Sequence, residues 1–320
     1  MTEFKYAPMF QLGQDKTEYY KIPGSEKLVS TSEFEGHKIL KVSKEALTLM
    51  SNTAFRDVSF LLRRSHNEQV AKILSDPEAS DNDKYVALTF LRNAEIACKG
   101  KLPLCQDTGM MWCWAEIGRN ARLDIVKLEK LINTSLSKAF KKGLFRTSVV
   151  SDVMGERKNT GDNLPAVINY SLTSGSDITL HFLLKGFGSE NCSSVTMLNP
   201  TAGKEGVVEA VVESMRKAGA KPCPPVFIGV GVGGTMDRAA LMSKEAFFKR
   251  GKESDVEREI KERVNALSIG PGGMGGKNSC LGVFLKEEET HIAGLPVAVT
   301  VNCWAERKTE VVLVGGYDGD

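Results

Sequence analysis

No apolar run in this sequence approaches the roughly 20 residues that a membrane-spanning helix needs. The start, Met1-Thr2-Glu3-Phe4-Lys5-Tyr6, has no basic segment followed by an apolar core, so it does not read as a secretory signal. No Cys-x-x-Cys pair occurs, and seven cysteines are an odd number without a dense framework. Reduced thiols and a cytoplasmic location are therefore expected. Charge of one sign is not in excess either: 42 basic residues stand against 40 acidic ones, a formal +2. That excludes a global basic field of the kind that recruits nucleic acid. Internal repeats, low-complexity tracts and clear linkers are also missing.

What is present fits a globular chain. Hydrophobic residues make up 42% and charged residues 26% of 320, enough for one large α/β unit or two average domains. Residues 1–42 read as an arm of scattered aromatics (Phe4, Tyr6, Phe10, Tyr19, Tyr20) and turn formers, lying on another surface. From about residue 43 the period becomes helical, with Leu47, Met50, Ala54, Phe55, Val58, Leu61 and Leu62 at three-to-four spacing. Further helices are predicted at Asn67–Leu74, Asp83–Cys98 and Asp124–Lys142, the last closed by Gly143. Ala166–Leu172 and Ile178–Leu184, separated by Gly175, read as a hairpin. Helices are predicted at 204–218, 238–250 and 256–267, and strands at 226–228, 297–301 and 311–314. The charged stretch from Lys249 to Glu262 reads as a solvated helix face. The order gives an α+β fold: a helical N-terminal part, then mixed sheets packed with helices, with 43–320 as one domain.

Two glycine-rich segments resemble nucleotide loops. Gly229-Val230-Gly231-Val232-Gly233-Gly234 fits the dinucleotide fingerprint between a strand and a helix. Glu253, about 20 residues on, falls in a charged helical run instead of at a strand end, so the βαβ unit is incomplete. A nucleotide-dependent oxidoreductase is thus one reading. The alternative is glycines that let backbone pass close by. The segment Gly270–Ser279 fails the phosphate-loop pattern, because Pro271 takes the place of its first glycine and Asn278 that of the hydroxyl residue. It implies tight turns, or donors presented to an anion, with Lys277 as an added charge.

Among the cysteines, Cys98, Cys113, Cys192 and Cys280 lie in helical, strand-like or glycine-adjacent contexts. Cys105 (in Leu102-Pro103-Leu104-Cys105-Gln106-Asp107-Thr108-Gly109), Cys223 (in Lys221-Pro222-Cys223-Pro224-Pro225) and Cys303 (in Asn302-Cys303-Trp304-Ala305) sit in loops or at a strand end. Spacing alone does not select this triplet. Asp107 before Thr108-Gly109 also fits a turn or cap. His37 and His66 lie in polar stretches and read as solvated, His181 as structural, and Trp112, Trp114 and Trp304 as shields of apolar surface.

Six ordered blocks carry a resemblance: Leu102–Gly109, Lys185–Asn191, Cys223-Pro224-Pro225, Gly229–Asp237, Gly270–Lys277 and His291–Ala305. In this order they resemble class I fumarases and the α subunits of two-subunit fumarate and tartrate dehydratases, over essentially the whole chain. Thr17-Glu18-Tyr19-Tyr20 is similar to the single-chain enzymes. The resemblance implies a [4Fe-4S] cluster held by Cys105, Cys223 and Cys303, with one iron lacking a protein ligand. It also implies a hydro-lyase of the tricarboxylic acid cycle acting on fumarate and (S)-malate. Substrate binding falls to Gln106, Arg146 and the Gly188 backbone N–H, and catalysis to Asp107 and His291. Tartrate or mesaconate chemistry would use the same apparatus. In that family a C-terminal β domain adds arginine, lysine and a threonine proposed as general base. This chain stops at Gly315–Asp320, so the resemblance implies an α half completed by a β subunit or domain, in an oligomer.

Overall fold

The computed structural model describes residues 21–314. Thr17–Tyr20 and Gly315–Asp320 therefore lie outside the described residues. In chain order the first elements are β1 (Val29–Phe34), β2 (His37–Val42), α1 (Lys44–Phe60), α2 (Arg64–Ser75) and α3 (Asp81–Ala97). Next come β3 (Met110–Gly118), β4 (Ala121–Arg122), α4 (Ile125–Lys142), β5 (Val167–Thr173), β6 (Ile178–Lys185) and the single turn α5 (Phe187–Glu190). The chain continues with β7 (Ser194–Leu198), α6 (Gly203–Ala218), β8 (Val226–Gly234), α7 (Met236–Glu245) and α8 (Asp255–Asn265). It ends with β9 (Cys280–Thr290), β10 (Leu295–Asn302) and β11 (Lys308–Leu313). The α+β class holds, with helices and three mixed sheets. Two compact units divide the described residues: 21–65, 94–185 and 307–314 form the first, 66–93 and 186–306 the second.

In the first unit, α1 and α4 begin on side-chain caps. Ser43 Oγ accepts the Ala46 N–H at 3.0 Å and Asp124 Oδ1 accepts the Lys127 N–H at 3.0 Å. Their apolar stripes (Leu47, Met50, Phe55 and Val58; Leu128, Ile132, Leu136 and Phe140) bury Cys113, Ala115, Leu180 and Phe182 of one sheet face. That sheet runs β11-β6-β3-β5. The hairpin expected from 166–184 is not formed, because β3 lies between the two strands, antiparallel to β6 and parallel to β5. The physical reason is the connection after β5, which wraps the end of β3. Gly118, Arg119 and Asn120 N–H groups satisfy the carbonyls of Asp177, Thr173 and Gly175 at 2.8–2.9 Å. Residues 29–42, inside the segment read as an arm, form an antiparallel β1–β2 hairpin extended by β4.

The second unit packs α6 and α8 on one face of the sheet β7-β10-β8-β9, through Val208, Val211, Met215, Ile260 and Val264. On α8, a capping box joins Ser254 and Glu257. Glu257 is buried and paired with Lys249 at 2.7 Å, so the charged stretch is not wholly solvated. His66 is likewise buried, its ring stacked 5.0 Å from that of Phe227 on β8. Helix α7 is in contact with β8, where Gly229 and Gly231 permit backbone approach. A Cβ at Gly229 would stand 1.9 Å from the Ser243 carbonyl oxygen, and one at Gly231 2.1 Å from that of Ala239. These glycines lie inside a nine-residue strand paired on both edges, not in a phosphate-binding turn. The nucleotide reading of Gly229–Gly234 is corrected on that ground.

Candidate active site

In the first unit, the loop from Lys101 to Gly109 carries Cys105, Gln106 and Asp107 into β3. Its entry is pinned by Leu104, a buried side chain whose N–H donates to the Ser59 carbonyl at 2.9 Å. Cys105 is half-buried, with Sγ 3.5 Å from Gln106 Oε1. Gln106 is exposed and Asp107 half-buried, while Thr108 and Gly109 are buried. Gly109 has a φ of +75°, the left-handed region that glycine enters without steric cost.

Arg146 meets the same loop through its backbone. The Arg146 N–H donates to Thr108 Oγ1 at 3.2 Å. Asn163, 2% exposed, donates from Nδ2 to the carbonyls of Gly109 (2.8 Å) and Arg146 (3.3 Å). Its Oδ1 accepts the N–H groups of Ser148 (2.6 Å) and Val149 (3.2 Å). From a third direction Arg307, 1% exposed, donates from Nη1 to the Thr108 carbonyl at 3.2 Å. The Arg146 side chain itself is exposed, with no hydrogen bond or ion pair among the described residues. Its fork is therefore available to a carboxylate. Sequence reasoning missed Thr108, Asn163 and Arg307. Their work is done on main-chain groups, which leave no periodic or motif signal.

In the second unit, the backbone at Cys223 meets that at Trp304, the residue after Cys303. Cys223 is exposed, in a turn with a φ of +53°, and its carbonyl accepts the Trp304 N–H at 3.1 Å. Cys303 is buried beside it in sequence to Trp304, which stacks on Phe90 with ring centroids 4.2 Å apart. The Gly270–Gly276 segment braces this corner: the Gly272 N–H donates to the Pro224 carbonyl at 2.7 Å. A Cβ at Gly273 would stand 2.2 Å from Ala220 Cβ, so this loop is filled by protein. Lys277 pairs with Glu78.

Gly188 is exposed in α5. Neither a positive φ nor crowding demands glycine there, since the nearest atom to a Cβ would be the Lys221 carbonyl oxygen at 3.7 Å. His291 is exposed in the β9–β10 turn, where its Nδ1 accepts the Ala293 N–H at 3.2 Å. That hydrogen bond places the proton of a neutral ring on Nε2, which then serves as a donor. Two other thiols contrast with these. Burial pushes the Cys113 thiol far up and that of Cys280 up to about 12, so both behave as inert packing. Cys98 and Cys192 donate to nearby carbonyls at 3.0 and 3.4 Å. No group of three His, Cys, Asp or Glu side chains arranged to hold a metal ion occurs among the described residues.

A family model described as "Fumarate hydratase (Fumerase)" matches residues 48–312. The aerobic class I fumarate hydratase of Escherichia coli (strain K12) is 38% identical over 330 residues, covering 95% of this chain and 58% of that protein. "Fumarate hydratase 2" of Leishmania major is 31% identical over 332 residues, covering 96% of this chain and 57% of that protein. The L(+)-tartrate dehydratase subunit alpha of Escherichia coli (strain UTI89) is 28% identical over 276 residues, covering 83% of this chain and 91% of the subunit. The chain thus spans little more than half the length of the fumarate hydratases it matches, and nearly all of the length of a dehydratase α subunit.

Proposed function

The chain belongs to the fumarate hydratase (fumerase) family, and we propose that it forms the iron–sulfur half of a hydro-lyase site for fumarate and (S)-malate. The observation that carries this reading is the corner that ties Cys223 to Cys303 through the Trp304 N–H. It links the backbone at two of the three loop cysteines, while Cys113 and Cys280 are committed to the cores.

The donor chemistry fits an iron–sulfur cluster: three thiols in loops or at a strand end, set apart from the core thiols. Cys105, Cys223 and Cys303 would hold it. When bound, the cluster supplies a Lewis-acidic iron free of a protein ligand, suited to hydroxyl and carboxylate oxygens.

The remaining work belongs to this chain's own groups. Arg146 grips one substrate carboxylate with two parallel hydrogen bonds. Gln106, the Gly188 N–H and the Nε2–H of His291 donate to carboxylate oxygens and fix the diacid's orientation. Asp107 takes part in moving the proton at C3, while the hydroxyl is added or lost at C2. A β subunit or β domain completes the site, with residues 43–320 as the α domain and an oligomer as the working form.

Tartrate dehydration is the second reading, favoured by the 91% coverage of an α subunit of that activity. Anaerobic reconstitution with iron and sulfide, with and without a β half, tests both. Fumarate, (S)-malate, L(+)-tartrate and mesaconate would each be offered. Turnover of fumarate and malate only with the β half is the expected result. Full activity of the chain alone overturns the half-site, and exclusive turnover of tartrate moves the assignment to the second reading.

A further inference from the structure

One buried polar cluster in the first unit touches no proposed substrate atom. Thr108 is 1% and Asn163 2% exposed, and both spend their side chains on backbone groups. Thr108 Oγ1 accepts from the Arg146 N–H, and Asn163 bridges the carbonyls of Gly109 and Arg146 while accepting from Ser148 and Val149. Two segments about 38 residues apart in sequence are thereby fixed to one another. One carries Cys105, Gln106 and Asp107, the other Arg146.

Neither segment is regular structure at these points, as 105–109 precedes β3 and 144–149 follows α4. No ladder holds them in register, so the brace does. Arg307 steadies it from the far side, through the Thr108 carbonyl. Its Nε is buried without a hydrogen-bond partner, and no carboxylate pairs with it among the described residues. A guanidinium kept so deep for one backbone carbonyl points to a demand on the position of that carbonyl.

We propose that Thr108 and Asn163 are positioning residues of the hydro-lyase site, setting where the Arg146 fork stands relative to Asp107. This rests on the reading of Arg146 and Asp107 given above. A bidentate grip loses most of its value when its anchor shifts by about an ångström. The consequence belongs to substrate binding and not to metal content.

The test is a hydroxyl series at residue 108 with two readouts. Thr108→Val keeps the volume and removes the acceptor; Thr108→Ser keeps the acceptor. In the chain itself, amide hydrogen exchange across 144–149 is expected to speed up about tenfold in Thr108→Val and to stay at the wild-type rate in Thr108→Ser. In the reconstituted enzyme with its β half, Thr108→Val is expected to raise KM about tenfold at unchanged iron per chain, with rescue by Thr108→Ser. On an Arg146→Ala background the same change is expected to move KM less than twofold, because both act through one grip.

Unchanged exchange, failure of serine to rescue, or full additivity with Arg146→Ala each overturns the proposal. If Thr108→Val does not fold, Asn163→Asp takes its place. It keeps the acceptor for Ser148 and Val149 but loses the donors, so it must speed exchange and raise KM likewise, and wild-type values for both overturn the proposal. Failure of the hydro-lyase reading is separately visible, as a wild-type enzyme without diacid turnover whose exchange still follows the hydroxyl.

Discussion

His181 of β6 is held between two acids on neighbouring strands. Its Nε2 lies 2.7 Å from Glu116 and its Nδ1 2.7 Å from Glu310, with Trp114 stacked on the ring at 4.5 Å. Burial pulls the imidazole pKa down, but the two carboxylates outweigh it, and the net shift is upward. A raised folded pKa contributes stability that is fully present below the unfolded value of about 6.5 and is lost as pH rises through the folded value. Thermal unfolding of the wild type is therefore expected to drop more steeply than that of His181→Gln as pH rises above about 6.5. Parallel melting curves across that window would contradict the assignment. Arg146 gives a second residue-scale expectation. In the completed enzyme, Arg146→Ala should raise KM for the diacid by roughly ten- to a hundredfold, the scale of losing a charge-assisted pair, while iron loading stays level. At this scale the block around Cys105 stood out in the sequence as a motif, whereas Arg146 entered only through the family resemblance. The roles of Thr108, Asn163 and Arg307 were not legible. A side chain that binds a distant main-chain group looks, in sequence, like any polar residue.

Elements with a strong local signal were read well. The helices α1, α3, α4, α6 and α8 fall where their apolar spacing and terminal residues put them. Strand pairing was not legible to the same degree. β3, with Met111, Cys113, Ala115 and Ile117 toward the core and Trp112, Trp114 and Glu116 on the other face, lacks a clean apolar–polar alternation and inserts between β5 and β6. The sequence left the glycines of β8 open between a ligand loop and a close backbone approach for a related reason, since only the folded partner α7 reveals what they approach. Gly231→Ala is expected to destabilise the protein by about 3 kcal/mol, because the added Cβ would meet helix backbone that cannot move aside locally. Chemical denaturation measures it, and a loss below about 1 kcal/mol would show that α7 can shift. Ser254→Ala, which removes half of the α8 capping box, should cost about 1 kcal/mol in the same measurement.

At the scale of the whole molecule, the residues of the proposed site are divided between two units, each with its own apolar core. The first unit carries Cys105, Gln106, Asp107 and Arg146, and the second carries Gly188, Cys223, His291 and Cys303. The sequence order of the motif blocks made the family legible, but the division into two interleaved units was not, because each unit is assembled from segments far apart in the chain. The chain covers just over half the length of the fumarate hydratases it matches and nearly all of a dehydratase α subunit. The central claim is that Cys105, Cys223 and Cys303 together hold one iron–sulfur cluster. Its most direct test is the iron and acid-labile sulfide bound per chain after anaerobic reconstitution of single Cys→Ser variants. The account predicts loss of the stable cluster in Cys105→Ser, Cys223→Ser and Cys303→Ser alike, with wild-type loading in Cys98→Ser and Cys192→Ser. Wild-type loading after removal of any one of the three would contradict it.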